Sequence, residues 1–152
     1  MSLTGTDLIL LLVAIAVSAL CSGLEIAFVS SNKLYIELER NRGAIWARLV
    51  SGLLKRPARV IGALLVGNNM ALVLYGLLMA KWMRPMLLDL GQGEVFVLVG
   101  QTVLSTLFIL VVGEFLPKAI FRVDPYTGLS FFALPLRLLY LILWLPLIVM
   151  NW

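Results

Sequence analysis

Three long apolar runs constrain this chain more than any other feature. They extend over residues 3–29, 60–80 and 95–121. A bilayer's hydrocarbon core is about 30 Å thick and is crossed by about 20 apolar helical residues. Only helices or closed barrels satisfy their backbone groups there, and unbroken apolar runs of this length read as helices. The chain is 62% hydrophobic, whereas soluble domains hold about 45–50% apolar residues. The expected fold class is therefore an all-α integral membrane domain that occupies residues 1–152.

The first run reads as a retained helix. It lacks the basic leader of a signal peptide, Asp7 being the one charge before Glu25. It also continues well past the length of a signal-peptide core. Between the first two runs, residues 32–57 are polar and basic, with Leu34, Leu38, Ile45, Leu49 and Leu53 at three- and four-residue steps. This periodicity predicts two short amphipathic helices at the membrane interface, divided at Gly43. Pro57 suits the first turn of the second span. Lys81 to Glu94 reads as a loop with turn signals "RP" and "GQG". Pro125 and Gly128 interrupt the pattern again, and residues 129–152 form an apolar segment broken by Pro135, Arg137 and Pro146. By pattern alone this segment is either a fourth span or a broken helix along the membrane face.

Charge gives the orientation. The chain carries 12 Lys and Arg against 8 Asp and Glu. Seven of the cations follow the first span and two, Lys81 and Arg84, follow the second. Basic loops favour the cytoplasm, which puts the N-terminus outside and the C-terminus inside. The excess positive charge thus reflects topology, and no nucleic-acid partner is expected.

Each span carries polar groups that lipid would penalise. A charge at the bilayer centre costs at least about 2.5–3.5 kcal/mol, so such groups face a bundle interior or a cavity. Ser18, Ser22 and Glu25 lie in the first span, Asn68 and Asn69 in the second, and Gln101, Ser105 and Glu114 in the third. Glu25 is eight residues before Lys33, Asn68 nine after Arg59, and Glu114 eight before Arg122. At 1.5 Å per residue each sits roughly 12–13 Å from its basic boundary residue. Three helices therefore bring oxygen atoms to one layer. In "GEFLPK", Pro117 has no N–H for the carbonyl four residues back, on Gly113. A freed carbonyl beside the carboxylate of Glu114 is a hard oxygen site. Such donors suit magnesium, calcium or manganese. The chain has no histidine and one cysteine, Cys21, which reads as a small wall residue. No nucleophile–base pair, phosphate loop or thiol–metal spacing is present, so an enzyme is not expected. Serine and asparagine can also serve only helix packing in membranes, and the residues alone leave that alternative open.

The segments "CSGLEIAFVSSNKL", "LLVGNNMALV" and "VVGEFLPKAIFR" resemble, in order, the three signatures of the transmembrane domain of the CorB/CorC/cyclin M (CNNM) magnesium transporters. The resemblance covers nearly the whole chain, and the "GE-x-x-PK" element is its most specific part. It implies a homodimer of protomers with three transmembrane helices plus juxtamembrane amphipathic helices embedded against membrane lipid. Residues 129–152 would then be juxtamembrane. It implies transport of dehydrated magnesium (Mg2+) by alternating access in the plasma (inner) membrane, driven either by exchange with sodium (Na+) as coupling ion or by passive flux down the membrane potential. Carried over, the metal ligands are Ser22, Asn68, the Gly113 carbonyl and Glu114. Glu25, Asn69, Pro117 and Lys118 are pathway or gating candidates. Glu25 either draws cations to the inner mouth, pairs with Lys118, or ligates directly. Many relatives have a second asparagine four residues after the first, where this chain has Leu72. Asn69 lies about 100° around the helix from Asn68 and does not replace it. Relatives continue into cytoplasmic CBS domains, expected partners in the full-length protein; residues 1–152 contain no such pair. A rival reading is a magnesium-sensing membrane scaffold without transport. A membrane-lytic protein fits poorly, because the spans bury polar groups and lack an amphipathic lytic face.

Overall fold

The computed structural model describes residues 4–91 and 93–150. Leu3, Gln92 of the expected "GQG" turn, and Asn151–Trp152 lie outside the described residues. Every regular element among those described is helical. The helices are α1 (Gly5–Ser30), α2 (Lys33–Asn41), α3 (Ile45–Leu54), α4 (Pro57–Leu88), α5 (Glu94–Ile109), α6 (Leu116–Val123) and α7 (Pro125–Met150). A π-helical segment, Leu110–Phe115, joins α5 to α6 without a break.

Local chemistry sets the boundaries. Thr4 and Asp7 form a capping box at the start of α1: each side chain bonds the other's backbone N–H. Asn32 caps α2 through the Leu34 N–H. Gly43 separates α2 from α3 with φ +90°, a region that L side chains rarely enter. Pro57 opens α4.

Two stretches differ from the sequence reading. The loop expected over Lys81–Glu94 is mostly helix, because α4 continues through Pro85 to Leu88. A proline inside a helix removes one backbone hydrogen bond. Here Met83 still packs against the cluster around Leu11 and Met79, and that burial carries the helix onward. The last segment starts at Pro125 and is one long helix with a bend at Phe132, where φ is −104° and ψ is 17°. Pro135 withholds an N–H from the carbonyl of Phe131, four residues back, so the bend falls next to its cause. Four helical stretches, Gly5–Ser30, Pro57–Leu88, Glu94–Val123 and Pro125–Leu145, are long and apolar enough to cross a membrane.

The main pairing is α1 against α4. Their buried stripes, Leu11, Ala14, Ser18, Cys21, Leu24 and Phe28 on one side and Val60, Leu64, Gly67, Ala71, Tyr75 and Leu78 on the other, recur every three to four residues. A Cβ on Gly67 would lie 3.2 Å from Cys21 Sγ, so glycine lets the two helices approach closely. Helix α6 packs on α1. Helix α7 packs on α1, α3 and α4.

The interior has two apolar clusters. The larger one gathers Cys21, Leu24, Phe28, Ile36, Val50, Leu64, Leu129 and Leu136. The smaller one gathers Leu11, Ala14, Tyr75, Leu78, Met79 and Ile109. Along α1, α4 and the α5–α6 rod, the polar layer falls between them.

Candidate metal centre

Ser18 and Asn68 are the buried polar pair at the centre of this layer. Ser18 is fully buried and Asn68 is 9% exposed. The Ser18 hydroxyl donates to Asn68 Oδ1 at 2.7 Å. The Asn68 amide in turn donates to Glu114 Oε1 at 3.5 Å. A hydroxyl, an amide and a carboxylate, one from each helix, thus form a single chain of contacts.

Gly113 closes the group. A Cβ at this position would stand 3.1 Å from Ser18 Oγ and 2.7 Å from Ile109 Cδ1. Glycine here lets the backbone of the third span reach the polar layer. The π-wound segment that carries Gly113 and Glu114 changes the hydrogen-bond register: the Leu116 N–H bonds the Val111 carbonyl, five residues back. The sequence reading assumed a regular α-helix and freed one carbonyl, that of Gly113. In the observed register Pro117 also has no N–H to offer Val112, five residues before it. The π-turn and the proline together loosen backbone pairing beside Glu114. Such π-bulges in α-helices occur frequently at functional sites.

Ser22 sits one turn from Ser18 on α1. It is fully buried, and its hydroxyl has no hydrogen-bond partner. Burial of a hydroxyl without a partner is unfavourable unless something satisfies it, which makes Ser22 Oγ a candidate oxygen donor. Of the ligand set carried over from the resemblance, Asn68, Gly113 and Glu114 come together around Ser18, and Ser22 lies one turn along α1 from Ser18. Ser18 is four residues before Ser22 and seven before Glu25, a helical stripe visible in the sequence. The ligand set implied by the resemblance does not include it.

The remaining candidates separate. Asn69 is exposed on the far side of α4 and lines a shallow apolar groove with Val66, Met70 and Leu77. Asn68 is therefore the asparagine that faces the layer. Pro117 is buried and Lys118 half-buried. Glu25 is half-buried on α1, three residues beyond Ser22. Among the described residues the ion pairs are Arg40–Glu37, Arg42–Glu39 and Lys81–Asp7, so Glu25 and Lys118 are not paired. No cluster of three or more His, Cys, Asp or Glu side chains forms among the described residues. The donor set is neutral oxygen atoms around one carboxylate.

The polar layer is enclosed on both sides. Toward the start of α1, Tyr75 donates its hydroxyl to the Ser105 carbonyl at 2.9 Å and packs with Ala14, Met79 and Ile109. Toward the end of α1, the ring of Phe121 lies between Gly23 and Gly128, where an added Cβ would come within 2.5 Å of it on either side.

The family profile of the cyclin M transmembrane N-terminal domain (CNNM) matches residues 9–152. The chain belongs to this family. Comparison with curated proteins returns no match. In this cyclin M domain the apolar helices and the family together establish a multi-pass membrane protein. All three segments that carried the resemblance fall inside the matched range, and the second and third supply Asn68, Gly113 and Glu114 to the polar layer.

Proposed function

We propose that this cyclin M domain moves magnesium across the membrane by alternating access, with the ion held in each protomer by oxygen donors of α1, α4 and the α5–α6 rod. One observation carries the reading. Ser18, Asn68 and Glu114 converge on one polar layer with Gly113 at its wall, and an apolar cluster lies on each side of it. A site between two apolar seals is what alternate opening requires. Magnesium sheds water reluctantly and prefers hard oxygen ligands in a small, regular shell. Ser22, Asn68, the Gly113 carbonyl and Glu114 supply such atoms, with Ser18 in support. Glu114 brings the charge. Asn68 Oδ1 has a second lone pair beside the one that accepts from Ser18, and that lone pair can face an ion. Glu25, half-buried three residues beyond Ser22, attracts cations to the inner mouth.

In this reading the protein is a homodimer in the plasma membrane with its N-terminus outside. Helices α1, α4 and α5–α6 cross the bilayer. The bent helix α7 lies along the cytoplasmic side with α2 and α3. Its packing on α3 and its bend at Phe132 support that placement. Sodium is the proposed coupling ion, and CBS domains of the full-length protein are the proposed cytoplasmic partners.

The test is magnesium flux into proteoliposomes. Glu114→Ala and Asn68→Ala, each confirmed as folded, should lower flux by at least about tenfold, the loss expected when interactions worth roughly 1.4 kcal/mol or more are removed. Unchanged flux in both variants overturns the site. Absent flux in the wild type, with magnesium still raising the thermal midpoint, supports the sensing scaffold instead.

A further inference from the structure

The α2–α3 hairpin carries more positive charge than its own carboxylates can neutralise. Residues 33–59 hold seven cations and two carboxylates, Glu37 and Glu39. Both carboxylates are engaged inside the hairpin. Glu37 accepts from the Ser51 hydroxyl at 3.1 Å and pairs with Arg40, while Glu39 pairs with Arg42 at 3.0 Å. Lys33, Arg48, Lys55, Arg56 and Arg59 therefore have no carboxylate partner among the described residues.

The exposed face of the hairpin is mixed rather than simply basic. On α3, Ile45, Arg48, Gly52 and Lys55 follow one another at steps of three and four and are all exposed. They form one stripe. On α2, Leu34 and Leu38 lie one turn apart and continue toward Arg42. Leu34, Leu38 and Ile45 are 67%, 49% and 75% exposed. The opposite face, Ile36, Ala47, Val50 and Leu54, is buried in the larger core cluster. The hairpin is thus firmly seated and presents large aliphatic side chains beside unpaired cations. It lies where α1 ends and α4 begins, at one end of the spans.

We propose that this face docks anionic phospholipids of the adjoining leaflet. The aliphatic side chains enter the acyl boundary, and Arg48, Lys55 and Arg56 contact headgroup phosphates. An interfacial helix binds through buried apolar area together with attraction to anionic lipid. A membrane fits this face better than an acidic protein because the apolar and basic groups share two helices at one end of the spans. The cations also spread along the hairpin, where a soluble anion site would gather them into a pocket.

The experiment uses the full chain in nanodiscs of phosphatidylcholine and phosphatidylglycerol. Lipid retained by the protein is counted by native mass spectrometry. The wild type should be enriched in phosphatidylglycerol, and salt should weaken that enrichment. The variant Arg48→Gln/Lys55→Gln/Arg56→Gln should lower it by at least about fivefold, the factor that one cation contributes near an anionic surface. Arg84→Gln, at the other end of α4, should leave it unchanged. If the triple variant does not fold, Arg48→Gln alone is read the same way. The proposal is overturned by absent enrichment in the wild type, by equal enrichment in the triple variant, or by equal loss in Arg84→Gln. It is also overturned if inorganic phosphate or an acidic peptide at matched charge displaces the lipid, which would assign the face to a soluble anion or a protein.

Discussion

Gly113 and Asn68 show how single atoms decide the polar layer. At Gly113 the absent side chain is the functional feature. Gly113→Ala would push a methyl into Ser18 and Ile109. Overpacking of this kind costs about 1–3 kcal/mol, so its thermal midpoint should fall. Stabilisation by added magnesium should be lost in the same scan, because the backbone can no longer reach the layer. Asn68→Ala should act differently. It strips the Ser18 hydroxyl of its acceptor inside a buried site. Leaving one buried group unsatisfied costs about 1–3 kcal/mol, which chemical unfolding in detergent measures. The double variant Ser18→Ala/Asn68→Ala should recover part of that loss, because no orphaned hydroxyl remains. An additive double variant would contradict the observed bond.

Among the helices, α6 is held by a ring in a slot. Phe121 lies between Gly23 of α1 and Gly128 of α7, so the ring cannot move away from one without meeting the other. Gly23→Ala and Gly128→Ala should each destabilise by about 1–3 kcal/mol. Phe121→Leu should largely suppress the effect of Gly23→Ala, and a double-mutant cycle reads the coupling directly. The start of α7 gives a pH prediction. The Thr127 hydroxyl, and then the Thr127 backbone N–H, hold the Asp124 carboxyl below its ordinary range. The bond from the Thr127 N–H is 3.2 Å long. A carboxyl depressed in the folded state stabilises the fold above its unfolded value, and that contribution is lost as pH falls through the folded value. Asp124→Asn should therefore lower the thermal midpoint slightly at pH 7. The gap to the wild type should narrow below about pH 3.9.

Across the whole molecule, the two ends of the bundle are fastened by different chemistry. At one end, Lys81 of α4 pairs with Asp7 of α1 at 2.7 Å. At the other, the α2–α3 hairpin and α7 enclose the ends of α1 and α4 in an apolar core. The Lys81–Asp7 end has the smaller apolar cluster behind its ion pair and the other end the larger one, so in the proposed transport cycle the Lys81–Asp7 end is the one expected to part. Asp7→Lys and Lys81→Asp should each lower the thermal midpoint, and the charge-swapped double variant should restore most of it. If the swap restores nothing, the pair does not hold these helices together.

Run length and composition determined the class of this protein: an all-helical membrane domain, and the α2–α3 hairpin with its division at Gly43, follow from apolar periodicity and from the glycine that interrupts it. The candidate donors were also legible, since lipid penalises polar groups wherever they occur and so marks Ser22, Asn68 and Glu114 in advance. Three things were decided by tertiary packing. Helix α4 passes through Pro85 because Met83 and its neighbours find a partner in α1, and no local signal reports that gain. The π-turn before Pro117 holds the Gly113 that meets Ser18 across the helix pair, a contact no local signal reports, so a regular helix is the natural reading of the sequence alone. Asn68 rather than Asn69 faces the layer because the α1–α4 contact fixes the rotation of α4. Sequence periodicity gives a helix its faces; only a neighbouring helix decides which of them turns inward.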